Sequence, residues 1–335
     1  MPVTRPGLML LGISLIRSDQ SFVNTIFGAI IPIFILLGIG YLAVLKRVVD
    51  KAHIQGMGRY VINIALPALV VQALLERPLD DVFNVSYLLT YGLGSGLAFA
   101  AMYLWMTWRS DLPLERRAMY ALGTSASNSG FIGYPVAVLV IGPTASIAMA
   151  LNMLIENLLV IPTALVLAEF ARQPDNGFWA TLKPVALRIL RHPLIIAIAV
   201  GTLLAALELH PPEPIARVLQ MLAASSSPVA LFVIGGTLCG LRVRGMVGEV
   251  AQIALAKLLL HPLCVLLMIL LIPGLSPAFA TAAIIFACAP MLSMYPLLGQ
   301  RYGFAELGTA ALVMATVLSA VTLALGIWLS HLWLM

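Results

Sequence analysis

Ser125-Ala126-Ser127-Asn128-Ser129-Gly130-Phe131-Ile132-Gly133-Tyr134-Pro135 lies in the middle of an apolar stretch, residues 116–141, and poses the problem the rest of the fold must solve. Proline removes a backbone donor and its ring clashes with the preceding turn, so a helix is expected to be interrupted here. At membrane depth the freed amides and carbonyls must be buried in protein or line a wet cavity. A second apolar run carries the same punctuation: Cys288-Ala289-Pro290-Met291-Leu292-Ser293-Met294-Tyr295-Pro296.

Composition places both stretches in a bilayer. Of 335 residues, 61% are hydrophobic and 10% charged, and the mean hydropathy is +1.02, whereas soluble domains carry about a quarter charged residues. A crossing takes about 20 apolar residues. The runs at 24–45, 54–75, 85–108, 116–141, 143–169, 192–209, 214–240, 246–272, 276–299 and 303–334 read as ten transmembrane helices of an all-α polytopic membrane protein. Residues 1–23 are set apart, because Leu8–Ile16 is too short to span, is bracketed by Arg5 and Arg17, and lacks a small-residue cleavage site. They are expected to be a disordered extension or a misplaced start.

The net charge of +5 does not point to nucleic acid, since the 19 basic residues are scattered between apolar runs. They act instead as topology signals. Loops after the odd-numbered spans hold 14 of them, against 4 (Arg5, Arg17, Arg77, Arg217) on the other face. The positive-inside rule makes the first face cytoplasmic and puts both termini outside. Cys239, Cys264 and Cys288 show no CxxC or Cys/His spacing, so they read as packing residues with no disulfide framework or zinc site.

A constant separation of 161 residues recurs along the chain. It relates Pro32 to Pro193, Gly40 to Gly201, Pro67 to Pro228, Tyr134-Pro135 to Tyr295-Pro296, Gly142 to Gly303, and Ala150-Leu151-x-Met153 to Ala311-Leu312-x-Met314. The chain is therefore expected to be two related halves, 24–170 and 192–335, joined by a cytoplasmic linker at 171–191. Five helices per half is an odd number, so the repeats are inverted, as in many secondary transporters.

Broken fourth and ninth helices that meet near the bilayer centre would form a substrate site. Half-helix N-termini pointing inward suit a carboxylate or another small anion. For a single proline the structural alternative is a simple kink, and the pairing of two breaks favours the site. Asn128 offers a donor and an acceptor to a ligand, or an interhelical hydrogen bond. Ser127, Ser129 and Ser293 are weaker candidates whose hydroxyls can bond back to their own helices.

Pro67 and Pro228 read either as contributors flanking the site or as scaffold kinks. Two ionisable residues fall within spans, Glu156 and Lys257. Lys257 reads as an anion counter-charge, a proton-linked switch or a snorkelling side chain, with His261 one turn later on the same face. Glu156 reads as a titrating carboxylate or as a structural partner of Asn152 or Asn157. The spacings Gly92-x-x-x-Gly96 and Gly236-x-x-x-Gly240 read as close helix packing.

These features resemble the auxin efflux carrier family, which includes plant auxin exporters and bacterial relatives described as malonate or malate carriers. The resemblance covers about residues 24–334. It rests on Asn128-x-Gly130-x-x-Gly133-x-Pro135, on Pro290 and Pro296 with Gln300-Arg301-Tyr302-Gly303, on Gly235-Gly236-Thr237-Leu238, and on Lys257-x-x-x-His261-Pro262. It implies two inverted five-helix repeats, divided into a scaffold part and a transport part, with the fourth and ninth helices crossing as broken helices. It further implies elevator-like movement of small organic anions, with Asn128, Pro135 and Pro296 at the substrate site.

The short central loop and the lack of an acidic residue beside the second-span proline depart from the plant pattern. Auxin is therefore disfavoured, and a bacterial-type carrier in the cell inner membrane is expected. The expected partners are a small carboxylate, the lipid bilayer and, as a candidate assembly, a homodimer.

No cofactor or metal is expected. The chain has no GxxxxGK[ST] for nucleotide phosphates, and no HExxH or GxSxG for an intramembrane enzyme; the five histidines, His53, His192, His210, His261 and His331, lie mostly at helix ends. An anion channel is the other alternative class. Sodium coupling through carbonyls at a helix break stays open, although no carboxylate cluster points to it.

Overall fold

A computed structural model describes residues 31, 32, 34–75, 84–172, 187, 190–209, 211–240, 246–300 and 302–334. Residues 1–23, most of the 171–191 linker, and Arg77, His210 and Arg301 lie outside the described residues.

All regular structure among the described residues is helical. The elements are α1 (Phe34–Leu45), α2 (Lys51–Leu75), α3 (Val85–Arg109), α4 (Leu114–Ser125), α5 (Tyr134–Ile141), α6 (Thr144–Phe170), α7 (Pro193–Ala206), α8 (Glu213–Leu238), α9 (Val247–Leu271), α10 (Pro277–Cys288), α11 (Tyr295–Gln300) and α12 (Ala305–Leu334). Six of them, α2, α3, α6, α8, α9 and α12, are long and apolar enough to cross a membrane.

The side chains are sorted for a lipid solvent. On α3 the exposed stripe is Leu89, Leu93, Leu97 and Leu104, whereas Tyr87, Thr90, Tyr91 and Ser95 face inward. On α9 Leu255, Leu259, Leu263, Leu267 and Leu270 are exposed while Lys257 and His261 are buried. Polar groups turn inward because only there can they find partners.

The stretches 116–141 and 276–299, expected as single spans with breaks at their prolines, are each two helices, and the breaks lie upstream of Pro135 and Pro296. Between α4 and α5 the chain is extended at Ala126 (φ −102°, ψ 138°), passes Asn128 (φ −83°, ψ 62°) and enters a wide turn, Ser129–Gly133. Between α10 and α11 it is extended at Ala289 (φ −66°, ψ 155°). Pro290 imposes that geometry on the residue before it. Pro135 and Pro296 instead occupy the second positions of α5 and α11, where a missing amide donor costs nothing.

Four π-turns punctuate the helices: Val61–Ala65 in α2, Ser129–Gly133 before α5, Glu156–Val160 in α6 and Ala256–Leu260 in α9. Each ends two residues before a proline, Pro67, Pro135, Pro162 or Pro262. The residue before each proline reaches back to a carbonyl five positions earlier, as His261 N does to Ala256 O. The widened turn keeps the ring clear of the carbonyl it would strike in a regular α-helix.

The helices pack in two groups. α2 packs along α7 and α8, while α3, α4, α6, α9, α10, α11 and α12 pack on one another. α1 lies so close to α8 that a Cβ on Gly40 would collide with the backbone carbonyl of Phe232, and one on Gly235 with that of Leu37. The 161-residue separation reappears in this packing: Gly201 meets Val71 and Leu74 as Gly40 meets Phe232, with the roles of the two helices exchanged. Gly142 and Gly303, at the turns after α5 and α11, share positive φ values of 63° and 67°.

The reading of Gly92-x-x-x-Gly96 as a close-packing pair is corrected. A Cβ on Gly96 would meet open space, whereas Gly94 lies against the backbone of Val265 on α9.

Candidate functional site

Each broken helix has lost intrahelical partners at its break, and the structure shows what replaces them. Asn128 N donates to Pro290 O at 2.8 Å, and Asn128 Nδ2 donates to Ser293 Oγ at 2.7 Å, so one residue ties the two breaks together. Asn128 Oδ1 accepts from Phe131 N at 3.2 Å, capping the wide turn, while Asn128 O accepts from Ile132 N and Gly133 N. At the end of α10, Ala287 O accepts from Lys257 Nζ at 2.8 Å and Cys288 O from Thr322 Oγ1 at 2.9 Å. The orphan carbonyls of a helix C-terminus are thus satisfied in the interior by side chains from α9 and α12.

Glycine makes the crossing this tight. A Cβ on Gly133 would lie 2.5 Å from the Phe286 ring of α10, and one on Gly130 would lie 2.5 Å from the Met153 methyl and 3.1 Å from Leu66.

Beside the crossing runs a buried polar network. Glu156 Oε1 accepts from Ser127 N at 2.8 Å and Ser129 Oγ at 3.1 Å. Ser129 Oγ in turn accepts from Asn152 Nδ2 at 2.6 Å, and Asn152 Oδ1 accepts from Tyr87 OH at 3.4 Å. Ser127 Oγ accepts from Tyr91 OH and from Lys257 Nζ, both at 2.9 Å. Lys257 Nζ also lies 2.8 Å from His261 Nδ1, and His261 Nε2 lies 2.9 Å from Ser95 Oγ. Lys257 and His261 are 0% exposed and Glu156 is 5% exposed, so neither ionisable side chain snorkels to an interface or reaches water near a helix end.

The structure therefore brings Asn128, Pro290 and Ser293 together directly, and it joins Ser129, Glu156 and Lys257 through Ser127. Pro296 packs against α12, where its Cα would lie 3.3 Å from a Cβ on Gly308. Pro135 is buried at the head of α5. The crossing is covered on the Asn128 side (3% exposed), whereas Ser293 is partly accessible and Met294 exposed.

Five participants were not singled out for this site from the sequence: Tyr87, Tyr91, Ser95, Thr322 and the Ala287 carbonyl. The signal for three of them was present as one stripe, Tyr87-x-x-x-Tyr91-x-x-x-Ser95, on a single helical face. The same four-residue spacing joins Asn152 to Glu156 and Lys257 to His261. Among the described residues there is no group of three or more His, Cys, Asp or Glu side chains placed to hold a metal ion.

Comparison with known proteins assigns this architecture. The family profile described as Membrane transport protein, that of the auxin efflux carriers, matches residues 25–327. The chain belongs to this family. It is a multi-pass membrane protein of transporter type.

Two relatives align with this chain over nearly their whole length. The chain is 28% identical over 304 residues to the "Putative malonate transporter" of Rhizobium meliloti (strain 1021), covering 89% of this chain and 93% of that protein. It is 22% identical over 312 residues to the "Uncharacterized transporter YfdV" of Escherichia coli (strain K12), covering 91% and 98%. The "Lysosomal cholesterol signaling protein" of Mus musculus is 23% identical over 92% of this chain and 38% of its own length.

Proposed function

We propose that this protein is a secondary carrier of small organic anions, mono- or dicarboxylates of the malonate type, working by elevator-type alternating access. The observation that carries the reading is the junction of the two breaks through Asn128, with Pro290 and Ser293 as its partners on the opposite chain segment. Partial positive charge collects at the N-terminal end of the wide turn Ser129–Gly133, which begins at the crossing and runs on into α5, and suits a carboxylate. An incoming carboxylate takes the place of Ser293 as the acceptor for Asn128 Nδ2, entering from the accessible Ser293–Met294 side. Ser129, Gly130 and Gly133 shape the floor, with Pro135, Pro290 and Pro296 fixing the directions of the extended segments and half-helices around it. The name of the Rhizobium relative supports a malonate-type ligand.

In this reading α1, α2, α7 and α8 form the scaffold, and the remaining helices carry the site across the membrane. The two halves are inverted repeats of ten helices in all, and the paired glycine contacts and matching left-handed turns at a separation of 161 support that symmetry. The basic face is cytoplasmic in the cell inner membrane and both termini lie outside.

A thermal-shift screen of the purified protein against mono- and dicarboxylates at two pH values tests the assignment. A small carboxylate is expected to raise the melting temperature, because it binds the folded form. Stabilisation by neutral or cationic compounds alone would overturn the anion reading.

A further inference from the structure

An ammonium group has three N–H donors and no acceptor. At Lys257 all three have partners: Ser127 Oγ at 2.9 Å, Ala287 O at 2.8 Å and His261 Nδ1 at 2.8 Å. A neutral amine could fill the same three contacts only by donating twice and accepting from a protonated His261 Nδ1, and the Ala287 carbonyl and nearby Glu156 carboxylate favour the cation instead. His261 fits as the neutral ring that accepts at Nδ1 and donates from Nε2 to Ser95 Oγ.

The surroundings of Nζ have the character of a cation site. Ala287 O belongs to the C-terminal end of α10, where the helix dipole places partial negative charge. Ser127 lies in the unwound stretch after α4, and the Glu156 carboxylate stands behind it, bonded to Ser127 N. Carbonyls at the ends of broken helices are the groups by which carriers of this build hold an alkali cation. The other titratable side chains facing the cluster are Tyr87, Tyr91, His261 and Cys288. With one carboxylate present, the cluster balances a monovalent charge, whereas a divalent ion calls for several acidic ligands.

We propose that the Lys257 ammonium occupies an alkali-cation site at the crossing of the two breaks, so that the folded carrier needs no such ion from solution and removal of the side chain opens the site to Na+ or K+. This goes beyond the carboxylate reading, and its test reads folding alone. Either can therefore fail without the other.

The test compares wild type, Lys257→Ala and Lys257→Ala/Glu156→Gln, each extracted and melted in NaCl, KCl or choline chloride at one ionic strength. Wild type is expected to melt at the same temperature in all three salts. Lys257→Ala is expected to melt lower than wild type in choline and to rise by roughly a few degrees, in a concentration-dependent manner, in one or both alkali salts. The double variant is expected to lose that response. If Lys257→Ala cannot be recovered folded in choline, recovery in an alkali salt is the predicted outcome. Failure to recover it in all three salts, an alkali-independent melting temperature for Lys257→Ala, or an alkali-specific shift in wild type would each overturn the proposal.

Discussion

Asn152 gives a hydrogen to Ser129 Oγ and accepts one from Tyr87 OH. Asn152→Ala leaves the buried Tyr87 hydroxyl without its acceptor, at a cost of about 1–3 kcal/mol, and leaves Ser129 Oγ with Glu156 as its remaining partner. The variant is expected to melt well below wild type, while Asn157→Ala, which loses only a bond to its own helix at Met153 O, is expected to melt within about a degree of it. Gly133→Ala pushes a methyl against the Phe286 ring, an overpacking of about 1–3 kcal/mol. Phe286→Leu in the same chain is expected to recover part of that loss, a coupling that a double-mutant cycle of melting curves would measure. At this scale the sequence shows which residues are out of place in lipid, including Glu156, Lys257 and Asn128. It does not show which partner each one takes, because Ser127, Ala287 O and Thr322 meet only once three separate helices have packed.

Helix propensity and helix packing make opposite predictions for α9. Proline costs about 3 kcal/mol in a helix interior, so Pro262→Ala should stabilise on propensity alone. The proline, however, sets the π-turn Ala256–Leu260, which contains Lys257, ends just before His261 and aims the two at Ser127 and Ser95. Relaxation to a regular helix would rotate one relative to the other. Pro262→Ala is therefore expected to lower the melting temperature, and a rise would contradict the role given to the turn. A second contrast lies in α1, where Gly38→Ala meets no atom within 4 Å and is expected to be neutral or slightly stabilising. Gly40→Ala strikes the backbone of Phe232 and is expected to destabilise sharply. Helix positions were legible from hydropathy to within a few residues, as at 85–108 against Val85–Arg109. The location of each break was not, because Pro135 and Pro296 marked the starts of the second half-helices, and the extended residues before them follow from Asn128 capping and Pro290.

On the scale of the whole molecule, the account requires the two helix groups to move past each other while each stays intact. The contact between the groups at Gly130 and Leu66 is where such movement can be stopped. With Cys239, Cys264 and Cys288 replaced by alanine, and with Met153→Ala to make room for the new side chain, a disulfide between Leu66→Cys and Gly130→Cys is expected to abolish the uptake that the reduced variant retains, and dithiothreitol is expected to return it to that reduced level. Unchanged uptake by the oxidised protein would contradict relative motion of the groups. The 161-residue separation related α1 to α7 and α2 to α8 as counterparts, whereas the packing of α1 on α8 and of α2 on α7, with its close glycine contacts, arises only in the folded chain.

The most direct measurement of the central claim is uptake of labelled malonate by proteoliposomes that contain wild type or Asn128→Ala, each shown by size exclusion to be folded. The account predicts saturable uptake by wild type that other small carboxylates inhibit, and uptake by Asn128→Ala at the level of protein-free vesicles. Equal uptake by the two proteins, or no uptake of any small carboxylate by wild type, would contradict it.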